Sequence, residues 1–281
     1  MRLFSFLLFA AALVVSSWWL WNNNPQVREL VEHYIENGEI ITLEARYTAD
    51  QIMDANRKNL LSDDSKNFKD PELKFHPYLM MYVKYTQPDR STREGVILWS
   101  MVDGEMVIDT QNWEKTHGFE DAILAGADQS DYRILNMLAK SKGKMTIDQL
   151  QKELHVETDT LTPWLESLRA KHLIVLKGTD VQLHFQNPKI LVLPETKFKQ
   201  WLVTKPYNHA QRVANKYSKS QIERNAKAAF GPDFMVKSSS EVYLPVYSIE
   251  VQNPDGSVLT SFWNALNGRR ITPKYFANDN S

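Results

Sequence analysis

The 281-residue chain contains no cysteine, which excludes disulfide bonds, zinc sites built from thiolates, and cysteine nucleophiles. Glycine is scarce, at 10 residues, and the glycine patterns of phosphate loops, dinucleotide sites and serine-hydrolase elbows are missing. Neither sign of charge dominates, because the formal net charge is −1 at pH 7. The missing motifs predict a protein that is not an enzyme and holds no cofactor, and the absence of cysteine agrees with export from the cytoplasm.

A short acidic stretch with one histidine is the best candidate for a metal site. It contains Glu114, His117, Glu120 and Asp121. Glu114 and His117 have a spacing that fits one helix face, but Gly118 separates them from the other two carboxylates. The other histidines are scattered singly along the chain. We therefore predict a surface cluster here and not a metal site.

An uncharged apolar run occupies residues 3–21 and ends in three tryptophans. About 20 apolar residues, at a rise of roughly 1.5 Å each, span a bilayer core, and tryptophan favours its interface. We predict that residues 1–24 are an uncleaved signal anchor. The alternatives are a signal peptide cleaved after Ser17, or a buried helix of a soluble protein.

Positive charge precedes this run, at Arg2 and the terminal amine. The positive-inside bias therefore places the body of the protein outside the cytoplasm. We expect a single-pass inner-membrane protein, or a secreted or periplasmic protein if the segment is cleaved.

One pattern occurs twice in the chain. Residues 97–107 and 261–271 share an apolar residue, a Trp, and an Asp-Gly or Asn-Gly pair at the same spacing. Upstream of each lies a stretch with helical periodicity, residues 47–61 and 217–230, and both begin with Tyr and continue with Gln-Ile. A capping box of Thr48 and Gln51 predicts the start of the first of these helices, and Thr146 with Gln149 predicts another helix start between the two copies. An alternating apolar run, typical of a β-strand, follows each stretch. We interpret the pattern as a duplicated module, a helix laid on its own antiparallel hairpin.

The hairpin turns and the tryptophans carry specific expectations. Asp-Gly at 103–104 and Asn-Gly at 267–268 supply the positive φ of a two-residue hairpin turn. Trp99 and Trp263 are predicted to be equivalent core residues between sheet and helix. The alternative is that they form a pair of aromatic binding sites.

We assign the first module to residues 25–128 and the second to residues 188–281. Helix, hairpin and closing strand resemble the PepSY-like modules of extracytoplasmic proteins, most clearly from Ser238 to Ile271. The first copy departs from the pattern, since Ser100 stands where the second copy has Asn264. The resemblance implies an interaction domain at the cell envelope, without catalytic activity.

Between the modules, residues 129–187 contain three stretches of helical spacing followed by a strand, a turn and a strand. This order closely resembles a winged-helix domain, whose third helix usually enters the DNA major groove. In this chain the exposed start of that helix carries Glu157, Asp159 and Glu166, where DNA binding needs cations. We predict a protein-contact or spacer domain. The alternative is a membrane-tethered winged-helix regulator that binds nucleic acid, which requires a cytoplasmic body.

Charge is divided unevenly between the modules. Residues 28–128 hold 11 basic and 20 acidic side chains, whereas residues 189–281 hold 13 and 7. The densest basic stretch predicts an interaction face, whose first three members are expected to share one face of a helix. The predicted face consists of Arg212, Lys216, Lys219, Arg224 and Lys227.

We expect this face to dock on an acidic surface, although a merely solvated helix is the alternative. The first module offers such a surface around Asp63, Asp64, Asp70 and Glu72. The acidic surface could equally belong to a second molecule of this protein, through self-association, or to an unknown partner protein. The sequence thus predicts an α+β multidomain protein, with a membrane helix and two related modules flanking a winged helix. Its expected role is that of a non-enzymatic adaptor or scaffold.

Overall fold

The computed structural model describes residues 39–62, 65–87, 89–206 and 210–271. These residues form a mixed α/β fold with six helices around a large curled sheet, so the predicted mixture of helices and antiparallel strands is confirmed. The predicted membrane segment, residues 3–21, lies outside the described residues. Among the helices that are described, none combines the length and apolar character needed to cross a membrane.

Capping boxes start four of the six helices, including the two predicted at Thr48 and Thr146. Each satisfies main-chain N–H groups that the first turn leaves without a partner. The helices are α1 (Ala49–Leu61), α2 (Phe119–Leu124), α3 (Gln129–Lys140), α4 (Ile147–Leu154), α5 (Thr158–Ala170) and α6 (Lys219–Phe230). The strands are β1 (Glu39–Leu43), β2 (Asn67–Phe68), β3 (Glu72–Thr86), β4 (Thr92–Ser100), β5 (Met106–Asp109), β6 (Glu114–Lys115), β7 (Lys144–Thr146), β8 (Ile174–Lys177), β9 (Asp180–Leu183), β10 (Leu202–Pro206), β11 (Gln211–Arg212), β12 (Met235–Gln252), β13 (Val258–Asn264) and β14 (Arg270–Ile271).

Two long hairpins form the centre of the large sheet. Strands β3 and β4 make the first hairpin, and strands β12 and β13 make the second. The two hairpins join because β3 pairs antiparallel with β12. The main path through the sheet is β10-β1-β12-β3-β4-β5-β6, and strands β2, β11, β13 and β14 branch from it.

The two hairpins have the same register. Trp99 pairs with Leu79 in the first, and Trp263 pairs with Tyr247 in the second. Both positions are buried. The predicted equivalence of Trp99 and Trp263 is therefore confirmed.

The helices are exchanged between the two predicted modules, which we call the first and second repeat. The prediction that each helix lies on its own hairpin is therefore wrong. In α1, Ile52 packs with Ile249 and Trp263 of the second hairpin. In α6, the Phe230 ring lies 6.4 Å from the ring of Trp99 in the first hairpin. Each helix buries its apolar face on the hairpin of the other repeat.

The segments that precede α1 and α6 cause this exchange. Strand β1 pairs parallel with β12, and strand β11 pairs parallel with β3. Each segment thus places the helix that follows it on the hairpin of the other repeat. Just before each helix the main chain also forms a hydrogen bond to the other repeat. Tyr47 N donates to Ala265 O and Tyr217 N donates to Met101 O, both at 2.9 Å.

The second strand of each hairpin ends in a five-residue loop, which joins β4 to β5 and β13 to β14, so the predicted two-residue turns are wrong. Ser100 N donates to Glu105 O in the first loop, and Asn264 N donates to Arg269 O in the second, both at 2.9 Å. Within each Asp-Gly or Asn-Gly pair only the glycine has a positive φ, +69° at position 104 and +66° at position 268. A two-residue turn of type I′ needs positive φ at both residues.

Helices α3, α4 and α5 form a compact unit with the small antiparallel sheet β7-β9-β8. We call this the central unit. Its apolar residues belong to the same core cluster as the face of the first hairpin that α6 covers. A buried hydrogen bond of 2.8 Å, from the Tyr132 hydroxyl to Asn225 Oδ1, ties α3 to α6. The central unit is therefore packed on both repeats.

His76 gives the fold a pH dependence. It faces Leu244 where the two repeats meet, and it is buried. Burial, assisted by Lys115, lowers the pKa of His76 from 6.5 to about 4. Its contribution to stability is therefore complete above pH 6.5 and is lost as the pH falls towards 4.

We expect the parent to lose about 2–3 kcal/mol between pH 7 and pH 4.5 through His76 protonation. His76→Leu introduces the residue found at the equivalent position 244, and it should remove the loss of stability that His76 protonation causes. Urea unfolding at both pH values measures it. An equal loss in parent and variant would contradict the assignment.

Candidate interaction site

The predicted basic face is divided between a strand and a helix. Because Ser218 provides the capping box of α6, the helix begins only at Lys219. Arg212 lies on β11, with its guanidinium carbon 5.9 Å from the centre of the Tyr243 ring. The prediction that Arg212, Lys216 and Lys219 share one helical face is therefore wrong.

Two more of the predicted cations are engaged within the chain. Lys216 Nζ lies 2.9 Å from Glu120 Oε1, and Lys219 Nζ donates to a main-chain carbonyl of β12 at 3.3 Å. Arg224 and Lys227 are exposed on α6 and form no ion pair with any described residue. These two remain accessible to a partner.

Helix α2 covers the end of the first hairpin. The carboxylate of Glu120 is buried there and accepts hydrogen bonds from Lys216 Nζ, at 2.9 Å, and the Tyr217 hydroxyl, at 3.0 Å. The absence of a side chain at Gly104 permits close packing, because a Cβ there would lie 3.1 Å from the Tyr217 ring and 3.2 Å from Glu120 Cα. We call this arrangement the closed site.

Glu105, in the hairpin loop, holds the N-terminus of α2. Its Oε1 accepts from the main-chain N–H groups of Gly118, at 2.8 Å, and Glu120, at 3.3 Å. Its Oε2 accepts from the Thr116 hydroxyl at 2.7 Å. Burial raises the pKa of Glu105, against the opposing effect of these hydrogen bonds. The carboxylate thus fixes the helix that completes the closed site.

The end of the second hairpin presents the same groups to solvent. Tyr47 packs against Gly268, where a Cβ would lie 3.3 Å from its ring, and Arg46 occupies the position that Lys216 has in the closed site. No described helix covers them, and they border a cleft of about 560 Å³. We call it the open cleft. Its principal lining residues are Arg46, Tyr47, Gln51, Ile52, Asn267 and Gly268.

Exposure separates the two sites. Tyr47 is 43% exposed in the open cleft, whereas Tyr217 is 2% exposed in the closed site. The position of Glu105 is taken by Arg269 in the second loop, and the described lining of the cleft contains no carboxylate. The described lining of the open cleft therefore combines apolar side chains, those of Tyr47, Ile52 and Ala55, with one cation, Arg46.

Sequence reasoning missed Arg46 and Glu105 as site residues, and it placed Glu120 in a surface cluster although this side chain is buried. A signal was present, because the alignment that matches Tyr47 with Tyr217 also places Arg46 opposite Lys216. The importance of Glu105 and Glu120 depends on how α2 folds back on the hairpin loop, which no periodicity in the chain reveals.

The acidic stretch near His117 does not converge on one point. Glu114 pairs with Lys189, the Glu120 carboxylate binds Lys216, and the His117 ring contacts the Phe185 ring edge-on. In the described part of the chain, no group of three or more His, Asp or Glu side chains is placed to hold a metal ion.

The two loop glycines form a matched pair for mutation. Both have positive φ, which costs an L-residue about 1–2 kcal/mol. A methyl group at Gly104 would also meet the backbone of α2, whereas at Gly268 it would meet only the exposed Tyr47 ring, which can move. We expect Gly104→Ala to destabilise the protein by about 2–3 kcal/mol and Gly268→Ala by about 1–2 kcal/mol. Urea unfolding measures both, and equal losses would contradict the difference between the sites.

Comparison with protein-family models, with curated proteins and with solved structures finds no match to this chain.

Proposed function

We propose that this protein is a membrane-anchored adaptor or scaffold of the cell envelope that acts through protein–protein contact and not by catalysis. The open cleft carries the proposal. The fold builds two equivalent hairpin ends, and at one of them an internal helix already occupies the surface. The other end offers the same groups to solvent. Such a surface is suited to a contact of the same kind with another protein.

The finer architecture belongs to the same proposal. We take the central unit as a winged helix, supported by the element order α3, β7, α4, α5, β8, β9 and the sheet order β7-β9-β8. We take the repeats as PepSY-like modules with exchanged helices, and residues 1–24 as the anchor that inserts residues 3–21 into the inner membrane.

The surface of the central unit supports protein contact over nucleic-acid binding. Glu157, Asp159 and Glu166 are exposed along α5, the helix that would enter a groove. Two lysines of the central unit already form ion pairs within the unit, since Lys144 pairs with Asp180 and Lys171 pairs with Asp131. Phosphate binding requires a cationic face, and this one is acidic.

A reporter fused after Ser281 tests the proposal. Alkaline phosphatase is expected to be active there, because the body of an envelope adaptor lies outside the cytoplasm. Activity of a cytoplasmic reporter alone would overturn the proposal and favour the membrane-tethered nucleic-acid regulator.

The exposed cations of α6 give a further prediction. Arg224→Glu with Lys227→Glu should abolish salt-sensitive association with an acidic partner or a second copy, while the melting temperature stays unchanged because neither side chain is buried. Sedimentation and pull-down from membranes, at low and high salt, measure association. The control reverses two exposed cations of α1, Arg57 and Lys58. Association unchanged by the α6 reversals would show that this face is only solvated.

A further inference from the structure

We propose that the open cleft binds an acidic helix of a partner protein in the way that the closed site binds α2. This inference rests on the proposed contact function and specifies the chemistry of the partner. Its basis is that one chain contains the same site twice, once occupied and once open.

Three residues of the cleft correspond to residues of the closed site. Tyr47, Ile52 and Gly268 line the cleft at the positions of Tyr217, Ile222 and Gly104. The main-chain bonds that set these positions are also repeated, from Tyr47 N to Ala265 O and from Tyr217 N to Met101 O. The geometry that accepts α2 at one hairpin end is therefore rebuilt at the other.

Charge selects the ligand. In the closed site the Glu120 carboxylate binds a cation and a tyrosine hydroxyl, those of Lys216 and Tyr217. The cleft offers the equivalent pair, Arg46 and Tyr47, and its described lining contributes no carboxylate of its own. An incoming carboxylate would gain the same charge-assisted hydrogen bonds.

The sequence of α2 specifies the pattern that the partner helix should carry. Ile123, one turn after Glu120, lies near Gly104, where a Cβ would be 3.3 Å from its Cδ1. Phe119, immediately before Glu120, packs on Trp99 with 4.9 Å between ring centroids. Trp263, the counterpart of Trp99, is not in the described lining of the cleft, so the expected motif is Glu with an aliphatic residue three positions after it.

One difference between the sites adds a requirement. In the closed site Glu105 accepts from the N–H groups that begin α2, but Arg269 stands at its position in the second loop. A positive side chain disfavours a bare helix N-terminus and favours a carboxylate in or before the first turn. We therefore expect the partner helix to be acidic at its start as well.

Binding of a helical peptide to the full chain in detergent tests the inference. The probe is a fluorescent, side-chain-stapled peptide with the sequence of residues 116–127, which includes α2. Saturable binding is expected, and Arg46→Glu should weaken it at least about tenfold. A peptide with Glu120→Lys should recover binding to the Arg46→Glu protein. A peptide with His117→Glu should bind about threefold tighter than the parent peptide, a gain that Arg269→Ala removes.

A variant on α1 serves as the control, and the results that would overturn the inference can be named. Arg57→Glu, on α1 outside the described lining of the cleft, should leave peptide binding unchanged. No saturable binding, or binding equal in the parent and Arg46→Glu proteins, overturns the inference. A photo-crosslinker at Gln51 in native membranes should join an acidic helix of another protein. An adduct with residues 25–38 of this chain, or with a second copy, overturns the assignment to a partner.

Failure of this inference can be told apart from failure of the proposed function. The topology reporter does not depend on the cleft. If the reporter places the body outside the cytoplasm while the peptide does not bind, the cleft assignment falls and the contact function stands.

Discussion

Trp99→Ala is expected to lower the free energy of unfolding by about 3–5 kcal/mol. The side chain is fully buried, its Nε1 donates to Gly104 O at 2.7 Å, and its ring packs against both Phe119 and Phe230. Truncation leaves a large cavity where the first hairpin, α2 and α6 meet. Urea unfolding followed by circular dichroism measures the loss.

The equivalent residue provides the comparison. Trp263→Ala should cost less, because Trp263 belongs to a smaller core cluster and retains slight exposure. Trp99→Phe should recover part of the loss by refilling the cavity. A Trp99→Ala protein within about 1 kcal/mol of the parent would show that this core is not packed as described.

Glu105→Ala is expected to cost about 3–5 kcal/mol, because several buried donors lose their acceptor at about 1–3 kcal/mol each and such costs are not fully additive. The donors are the Thr116 hydroxyl and the N–H groups that begin α2. Hydrogen exchange should show the loss locally, as faster exchange of the amides of Gly118 and Glu120.

Glu105→Gln is the matched variant. It keeps one acceptor oxygen and the side-chain volume, so an intermediate loss is expected. If Glu105→Ala leaves exchange in α2 unchanged, Glu105 does not hold the helix and the closed site is organised in another way.

Local chemistry was enough to predict much of the fold. Capping boxes at Thr48 and Thr146 and the alternating runs predicted the helices and hairpins that the structure contains. The exchange of helices was not predictable from the same signals. Periodicity defines which face of a helix is apolar. The two hairpins have the same register, however, so either could cover that face. The choice between them follows from the pairing of β1 with β12 and of β11 with β3.

The candidate site shows the same limit. Counting charges identified the basic stretch, and Arg224 and Lys227 are indeed exposed. It did not show that Lys216 is engaged, because its partner Glu120 lies far away in the chain and in another repeat. The Glu120 carboxylate, which was predicted to lie in a surface cluster, is buried.

The helix exchange also constrains the order of folding during synthesis. The apolar face of α1 has no hairpin to cover it until residues 235–264 have been made, so the first repeat cannot fold when it emerges. Closing such long loops slows folding and leaves apolar surface exposed meanwhile. A chain that is still being synthesised has to keep this surface from aggregating until its last strands arrive. A nascent chain that stops before Met235 would therefore depend on a chaperone, whereas the finished chain would not.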